Sequence, residues 1–319
     1  MTRHLALVGP TASGKSALAL AIARTAPDVE IVSLDSMQVY CGLDIGTAKP
    51  TRAERTEVVH HLVDVADPSE EWSVRRTQSS ARAVLVDIES RGCRALFVGG
   101  TGLYVRAVVD DLEIPPTDQG VRDRLDREAE DDAGLASAYG RLLELDPAAG
   151  ARMEPGNRRR IVRALEVIEI TGRRFSSFGP GIDEYPAPAI PVTMLGLRFD
   201  ATVLAARIAG RFDQMRHAGL VEEVQALAGL PPERSLSRTA REAIGYRELL
   251  AHFAGEIPTL DDAFDAAVRR TRRFARRQRT WFGRDPRVQW IDGTRSVADL
   301  ADDARRVWRD AQTAIAAVR

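Results

Sequence analysis

Short apolar runs alternate with helical patterns along the first third of this chain. Residues 4–8, 30–34 and 95–98 are short and mostly apolar runs, as strands buried on both faces of a sheet usually are. Residues 15–25 and 73–91 have the composition and spacing of helices. Strands separated by helices predict a parallel sheet with helices packed against it, so we expect an α/β fold class.

The pattern changes after Asp111. From about 114 to 171 the chain is charged and helical with no strand signal, and this section ends at Gly179-Pro180-Gly181 and the proline-rich stretch 185–191. Residues 192–199 return to strand character, and residues 200–319 are mostly helical with one short strand near 288–291. We therefore predict an α/β core domain of residues 1–113 and 187–319, with an all-helical insertion domain at 114–186.

Composition narrows the class of protein. With 319 residues the chain can bury a large core, and its net charge of −1 means that any basic surface must be local. The two cysteines provide neither a disulfide framework nor a metal cluster. No run approaches the roughly 18 apolar residues of a membrane helix. The chain starts with a strand pattern rather than a signal sequence, so we expect a cytoplasmic protein with no membrane partner.

The most informative motif follows the first predicted strand. It reads G-x-x-x-x-G-K-S and consists of Gly9, Pro10, Thr11, Ala12, Ser13, Gly14, Lys15 and Ser16. In a strand–loop–helix setting this pattern predicts a loop whose backbone N–H groups bind a di- or triphosphate. Lys15 can reach the outer phosphates, and the Ser16 hydroxyl can complete a Mg²⁺ shell. The alternative is an ordinary loop before a helix. Against this alternative, lysine occupies the phosphate position in a chain whose basic residues are otherwise almost all arginine.

Two further strand ends have polar residues. Asp35 directly follows the second strand, where a carboxylate can bind Mg²⁺, accept a proton or simply stabilise a turn. The strand at 95–98 ends in Gly99, Gly100 and Thr101 instead of the acid that phosphate-loop ATPases and GTPases need. Thr101 can direct its hydroxyl at a phosphate oxygen or can serve as a helix N-cap.

Arginines form two clusters. The larger one is interleaved with Phe274, Trp281 and Phe282 and comprises Arg269, Arg270, Arg272, Arg273, Arg276, Arg277, Arg279, Arg284 and Arg287. The smaller one, in the insertion, comprises Arg158, Arg159, Arg160 and Arg163. Such a cluster is either a solvated face paired with acids or a surface for RNA phosphates and bases. Two clusters in a neutral chain favour RNA.

Together these segments resemble the tRNA dimethylallyltransferase (tRNA isopentenyltransferase) family of bacterial type over nearly the whole chain. Besides the phosphate loop, the matching segments are DSMQVY at 35–40, DIGTAKP at 44–50, HHLVD at 60–64, GGTGLY at 99–104, RALEV at 163–167, RFDQM at 211–215, GYRE at 245–248 and RRQRTWF at 276–282. The first two of these are far more specific than the phosphate loop.

The resemblance implies transfer of a dimethylallyl group from dimethylallyl diphosphate to N6 of the adenine next to a tRNA anticodon. Asp35 would accept the amine proton, and Thr101 would contact the diphosphate near its bridging oxygen. The phosphate loop would bind the diphosphate as a leaving group, with Arg211, Lys15 and a Mg²⁺ ion at Ser16 neutralising its charge. The absence of an acid at Gly99 agrees with a loop that does not hydrolyse a nucleotide.

The resemblance also implies that the helical insertion binds the anticodon stem-loop and that the enzyme is a monomer. The expected tRNA contacts are Asp35, Ser36, Met37, Gln38, Thr101, Arg122, Arg159, Arg160, Arg163, Arg247, Arg277, Gln278 and Arg279. Many relatives have Gln or Arg three residues before the Gly-Tyr pair, where this chain has Glu242, so we expect no direct RNA contact there.

Three other functions are compatible with parts of the sequence. An enzyme that prenylates free adenine nucleotides would share Asp35 and the phosphate loop but would not need the arginine clusters. A small-molecule kinase would need an adenine-clamping lid, which we do not identify. A non-catalytic RNA-binding protein would have no reason to combine Asp35 and Thr101 with a complete phosphate loop.

Overall fold

Six strands, fourteen α-helices and two short 3₁₀ helices, Phe175–Ser177 and Pro232–Arg234, make up the regular structure of the described residues. The computed structural model describes the backbone of residues 4–178 and 184–316. In chain order the elements are β1 (His4–Val8), α1 (Lys15–Arg24), β2 (Val29–Ser33), α2 (Arg52–Glu57), β3 (His60–His61), α3 (Val74–Ser90), β4 (Arg94–Gly99), α4 (Gly102–Val109), α5 (Gln119–Glu128), α6 (Asp132–Leu145), α7 (Pro147–Gly150), α8 (Arg158–Thr171), β5 (Val192–Arg198), α9 (Ala201–His217), α10 (Leu220–Ala228), α11 (Arg238–Arg241), α12 (Tyr246–Phe253), α13 (Leu260–Gly283), β6 (Val288–Asp292) and α14 (Val297–Ala316).

The strands form one parallel sheet in the order β3-β2-β4-β1-β5-β6. Val8 of β1 pairs with Gly99 of β4, and Ser33 of β2 pairs with Val98 of β4. These three strands therefore end at the same edge of the sheet, and the loops that follow them are neighbours. Ligands of open parallel sheets bind beyond the carboxyl ends of the strands, so this edge is where a site is expected.

The central strand β1 is buried on both faces. Leu5 and Leu7 belong to a core cluster that includes residues of α1, α9, α13 and α14. Ala6 and Val8 belong to a second cluster with residues of α3 and α4. Successive side chains of a strand point to opposite faces, so helices on both sides of the sheet account for the uninterrupted apolar run.

The chain divides into two compact units. One comprises Met1–Asp111 and Ala187–Arg319, and the other comprises Leu112–Pro186. The described residues of the second unit contain helices α5 to α8 and no strand. They pack around a hydrophobic core of their own, which includes Leu125, Leu142 and Ile161.

The α/β class predicted from the sequence is confirmed, and five of the strands lie within one residue of the predicted positions. Strand β3 was missed because two residues are too few to produce a periodic pattern. The predicted turn at Gly179, Pro180 and Gly181 lies outside the described residues. Among the helices that are described, none combines the length and apolar character needed to cross a bilayer.

Candidate active site

The phosphate loop is a sharp turn between β1 and α1. Three of its residues have positive φ, namely Gly9 at 128°, Ala12 at 60° and Gly14 at 91°. Glycine adopts such angles without steric cost, whereas for Ala12 they are unusual. The turn places Lys15 and Ser16 in the first turn of α1. The unpaired N–H groups and the positive end of this helix therefore face the space above the sheet edge.

Lys15 is buried within this loop. Its Nζ donates a hydrogen bond to Pro10 O at 2.6 Å and lies 3.5 Å from Ser13 Oγ. Burial lowers the pKa of Lys15 to about 7, with smaller opposing effects from the Asp35 carboxylate, which raises it, and the Arg211 guanidinium, which lowers it. An arriving diphosphate would favour the charged ammonium, so ligand binding and protonation of Lys15 are coupled.

Two arginines of α9 reach the same loop. Arg211 Nη1 lies 3.4 Å from Thr11 Oγ1, and burial lowers the pKa of its guanidinium. Arg207 Nε donates to Ala12 O at 2.8 Å. Arg207 was not predicted as a site residue. Its spacing of four from Arg211 was an available signal, because residues four apart lie on one face of a helix.

Asp35 follows β2 and stabilises a turn. Its Oδ1 accepts hydrogen bonds from Met37 N at 2.8 Å and Gln38 N at 3.3 Å. Its other carboxylate oxygen has no hydrogen bond in the described part of the chain. The sequence left open whether Asp35 stabilises a turn or accepts a proton. The structure allows both, because each role would use a different carboxylate oxygen.

Thr101 and Gln278 both lie next to Gly100, at the end of β4. Thr101 occupies the N-cap position of α4, but its side chain makes no capping hydrogen bond. Gln278 of α13 donates from Nε2 to Gly100 O at 2.8 Å, and its Oε1 accepts from Thr11 N at 2.8 Å. A Cβ at Gly100 would lie 2.5 Å from this amide nitrogen, so a larger residue there would displace the Gln278 side chain. Gln278 thus joins the phosphate loop to the loop that contains Thr101.

One cleft of about 880 Å³ is lined by Lys15, Asp35, Arg207, Arg211 and Gln278. Its lining includes Gly99 and Gly100 but not Thr101, which follows them in the chain. The phosphate loop and Arg211 form its basic part, and Asp35 lies in the same lining. Val98, Met215 and Phe274 contribute apolar surface. The volume suits a small-molecule ligand, and the lining suits one with an anionic end and an apolar end.

The groups available to Mg²⁺ are few. Ser16 is exposed at the start of α1, as a hydroxyl ligand of a loop-bound ion would be. No group of three His, Cys, Asp or Glu side chains that could hold a metal occurs among the described residues. Ser16 therefore fits a Mg²⁺ ion that takes most of its other ligands from phosphate oxygens and water.

The tRNA contacts predicted on α12 and α13 differ in their exposure and in their partners. Arg277 and Arg279 are exposed on α13 and have no acidic partner in the parts of the chain described. Arg247 is exposed but pairs with Glu242, with Nη1 2.9 Å from Oε2. Gln278 is 5% exposed and uses its amide for the two internal bonds above, which is the arrangement of a positioning residue, and its tRNA contact stays a prediction.

Ser36, Met37 and Gln38 are half-buried beside Asp35. The Gln38 side chain is also engaged internally, with Oε1 accepting from Ser33 Oγ at 2.9 Å and Nε2 donating to Thr47 O at 3.2 Å. Ser36 and Met37 make no such side-chain hydrogen bonds among the described residues, and their tRNA contacts stay a prediction.

The arginines predicted in the helical unit also differ from one another. Arg159 and Arg160 are exposed in the first turn of α8, and no acid within the described segments pairs with them. Arg122 and Arg163 bind the fully buried Glu166, at 2.6 Å and 2.8 Å from its Oε2. Arg163, a member of the smaller cluster, therefore has the acidic partner that was the alternative to RNA, and Arg122 shares this partner. Both arginines support the packing of their unit, and their tRNA contacts stay a prediction.

The second lysine of the chain has a structural role that the sequence did not reveal. Lys49 is buried, and its Nζ lies 2.6 Å from Tyr40 O, 2.5 Å from Asp44 Oδ1 and 2.6 Å from Asp64 Oδ1. Three acceptors around one point match the three donors of an ammonium group, which a planar guanidinium could not satisfy in the same space. The presence of a lysine at this position in an arginine-rich chain was the sequence signal from which this role could have been predicted.

A parallel sheet with a phosphate loop and a carboxylate in one cleft defines a phosphate-loop α/β protein. Two family models match the chain, one described as IPP transferase over residues 38–285 and one described as isopentenyl transferase over residues 2–63. The chain belongs to the IPP transferase family, as the motifs predicted.

Curated relatives support this assignment along the whole chain. A tRNA dimethylallyltransferase of Salinispora arenicola is 49% identical over 309 residues, which cover 96% of this chain and 86% of the relative. The protein of the same name from Streptomyces coelicolor is 48% identical, covering 94% of this chain and 93% of the relative.

Two solved structures that superpose on this chain are also named as isopentenyl or dimethylallyl transferases acting on tRNA. A tRNA isopentenylpyrophosphate transferase from Bacillus halodurans superposes with a TM-score of 0.68 at 35% identity, covering 98% of this chain and 99% of that one. A eukaryotic dimethylallyltransferase acting on tRNA gives a TM-score of 0.73 at 25% identity, covering 91% of this chain and 74% of that one.

Proposed function

We propose that this chain is a transferase that moves a dimethylallyl (isopentenyl) group from dimethylallyl diphosphate to N6 of the adenine 3′-adjacent to a tRNA anticodon, releasing diphosphate. A relative of 49% identity is named tRNA dimethylallyltransferase. The observation that carries the proposal is that Asp35 lies in the same cleft as the phosphate loop. This arrangement provides a base for the acceptor and a cradle for the leaving group.

In the proposed reaction the adenine N6 attacks C1 of the dimethylallyl group. The bond between C1 and the diphosphate oxygen breaks, and diphosphate leaves with the electron pair. The N6 proton passes to the Asp35 carboxylate oxygen that the turn leaves unbonded. An exocyclic adenine amine is a poor nucleophile, so a positioned base is needed as the new bond forms.

The diphosphate is held by the loop N–H groups, Lys15 and Arg211. Because these charges are fixed before the reaction, they stabilise the negative charge that develops on the leaving group. The Thr101 hydroxyl, which makes no capping bond, donates to an oxygen near the diphosphate bridge. Mg²⁺ bound through Ser16 would supply further neutralisation of this charge.

The acceptor adenine must leave the stacked anticodon loop to enter the cleft. Arg277 and Arg279 of α13, and Arg159 and Arg160 of the helical unit, are the exposed arginines that we assign to the tRNA backbone. We expect a monomeric, cytoplasmic enzyme.

The test is transfer of radiolabelled dimethylallyl diphosphate in the presence of Mg²⁺. Unmodified tRNA with adenines after its anticodon and AMP are offered in parallel. Label on tRNA alone is the expected result. Label on AMP alone would instead favour an enzyme that prenylates free nucleotides, and ATP consumption without label transfer would favour a small-molecule kinase.

A further inference from the structure

A carboxylate of α10 binds the loop at the start of the DIGTAKP segment. Glu223 Oε2 accepts hydrogen bonds from Asp44 N at 3.1 Å and Ile45 N at 2.9 Å. Its Oε1 accepts from Ile45 N at 3.1 Å and from Gly46 N at 3.5 Å. Three consecutive N–H groups thus converge on one anionic side chain, which is the arrangement of an anion-binding nest.

Tyr246 completes this clamp from α12. Its hydroxyl donates to Glu223 Oε1 and accepts from Gly46 N at 3.1 Å. The Tyr246 side chain is fully buried, and its ring lies so close to Gly46 that an added Cβ would be 2.3 Å from Cε2. The loop is therefore confined between α10 and α12, and glycine is required at the point of contact.

The clamped loop is connected to the turn that contains Asp35. Gln38 Nε2 donates to Thr47 O and to Ala48 O, both at 3.2 Å. The Gln38 backbone N–H donates to Asp35 Oδ1 at 3.3 Å, and the Gln38 side chain also accepts from Ser33 Oγ at the end of β2. The clamp is therefore linked to the proposed base through the backbone of residues 44–48 and the hydrogen bonds of Gln38.

We infer that Glu223 and Tyr246 are positioning residues for the transfer reaction. By fixing residues 44–46 they place Thr47 and Ala48 where Gln38 can bind them, and Gln38 in turn orients the Asp35 carboxylate. This inference rests on the proposed function, because it assigns Asp35 the role of base. Both residues act on the acceptor side of the cleft, so they affect the base without contacting the diphosphate-binding loop.

Lys49 limits how far the loop can move when the clamp is weakened. It binds Asp44 and Tyr40 O from the other end of the same segment, so the loop remains attached when the clamp is weakened. Loss of the clamp should therefore displace the base without unfolding the segment. A displacement of about 1 Å at a reacting group can reduce turnover by roughly 100-fold.

The experiment compares Tyr246→Phe and Glu223→Gln with the wild-type enzyme in the tRNA transfer assay. Tyr246→Phe keeps the packed ring and removes the hydroxyl, so it remains informative if Glu223→Gln fails to fold. We expect kcat to fall roughly 10- to 100-fold, with the affinity for inorganic diphosphate unchanged. We also expect faster amide hydrogen exchange at residues 44–46.

Tyr139→Phe is the matched control, because the Tyr139 hydroxyl donates to Gly150 O at 3.2 Å within the helical unit. This variant should keep the wild-type kcat. Wild-type turnover in Tyr246→Phe would overturn the inference, as would a parallel loss of diphosphate affinity, which would indicate general loosening of the cleft. If the wild-type enzyme labels no tRNA, the proposed function fails and the inference fails with it.

Discussion

At the scale of single residues, the site depends on side chains with more than one task. Asp35 illustrates this, because one carboxylate oxygen builds the turn and the other, which has no hydrogen bond in the described part of the chain, is the one proposed to take the acceptor's proton. A substitution that removes both oxygens would therefore confuse loss of the base with loss of the turn. Asparagine keeps an oxygen acceptor for Met37 N and removes only the basic group.

We expect Asp35→Asn to lower kcat by roughly 10²- to 10⁴-fold, the range for loss of a general base, with tRNA affinity little changed. Single-turnover transfer and tRNA filter binding measure the two effects. Asp35→Ala serves as the comparison, since it should lose the turn as well and be less stable. An asparagine variant with wild-type turnover would remove Asp35 from the role of base.

The second prediction at this scale concerns Lys15, whose pKa burial lowers to about 7 from its ordinary value of 10.5. Bound diphosphate raises this pKa again, so binding takes up a proton above about pH 7. Affinity for diphosphate should then fall as pH rises, by up to about tenfold per pH unit.

Calorimetry of diphosphate binding in buffers of different ionisation enthalpy measures this proton uptake directly. Lys15→Arg is the matched control, because arginine stays charged and titration of the ligand itself affects both proteins equally. The same pH dependence in both proteins would contradict the coupling.

At the scale of elements, α13 divides its two faces between different tasks. Ala267, Thr271, Ala275, Gln278 and Phe282 are buried on one face. Arg273, Arg276 and Arg277 are exposed on the opposite face. The helix can therefore bring an RNA-binding surface and a residue that supports the phosphate loop into one rigid element.

Replacing both Arg277 and Arg279 with alanine should weaken tRNA binding and make it less dependent on salt, because fewer counterions are released. Titrations of tRNA at several salt concentrations give the slope. Arg306→Ala, an exposed arginine of α14 paired with Asp303, is the control and should keep the wild-type slope. An unchanged slope in the double variant would place the RNA surface elsewhere.

Helix α8 combines exposed and structural arginines. Arg163 binds buried Glu166 and also donates to Pro115 O and Pro116 O, both within its unit. Arg163→Ala should lower the free energy of unfolding by roughly 1–3 kcal/mol, because buried acceptors lose their donor. Arg159→Ala, at an exposed position, should leave it almost unchanged. Denaturant unfolding measures both, and equal stabilities would contradict the structural role of Arg163.

At the scale of the whole molecule, a net charge of −1 coexists with exposed arginines on α8 and α13. Acids elsewhere balance these arginines, so electrostatic attraction to RNA is restricted to particular surfaces. The protein itself offers few ligands to a metal ion. The described residues contain no group of three His, Cys, Asp or Glu side chains that could hold one, and Ser16 offers a single hydroxyl. The fold is thus expected to be independent of the Mg²⁺ ion proposed for the reaction.

Chelation with EDTA should therefore stop transfer and leave the melting temperature nearly unchanged, since only a ligand-bound ion is lost. Thermal denaturation and the transfer assay with and without EDTA measure the two properties, and added Mg²⁺ should restore activity. A large fall in melting temperature would contradict a site that depends on the substrate.

Local sequence was sufficient to predict five of the six described strands, the phosphate loop, the position of Asp35 after the second strand and the family. Apolar periodicity and glycine placement act over a few residues, so they are readable without the fold. The roles of individual polar side chains were harder to predict. The sequence did not reveal that Gln278 accepts from Thr11 N or that Arg122 and Arg163 bind Glu166, and the tRNA contacts expected of these three residues stay a prediction.

Only the tertiary structure decided these partners. Glu223 and Ile45 are 178 positions apart, and Thr11 and Gln278 are 267 positions apart, yet each pair is hydrogen-bonded. The type of a polar residue sets which bonds it can form, and the chain's path determines which donor or acceptor is within reach. The sequence by itself therefore determined the class of chemistry, whereas packing of distant segments selected which side chains are free for substrate and which support the site.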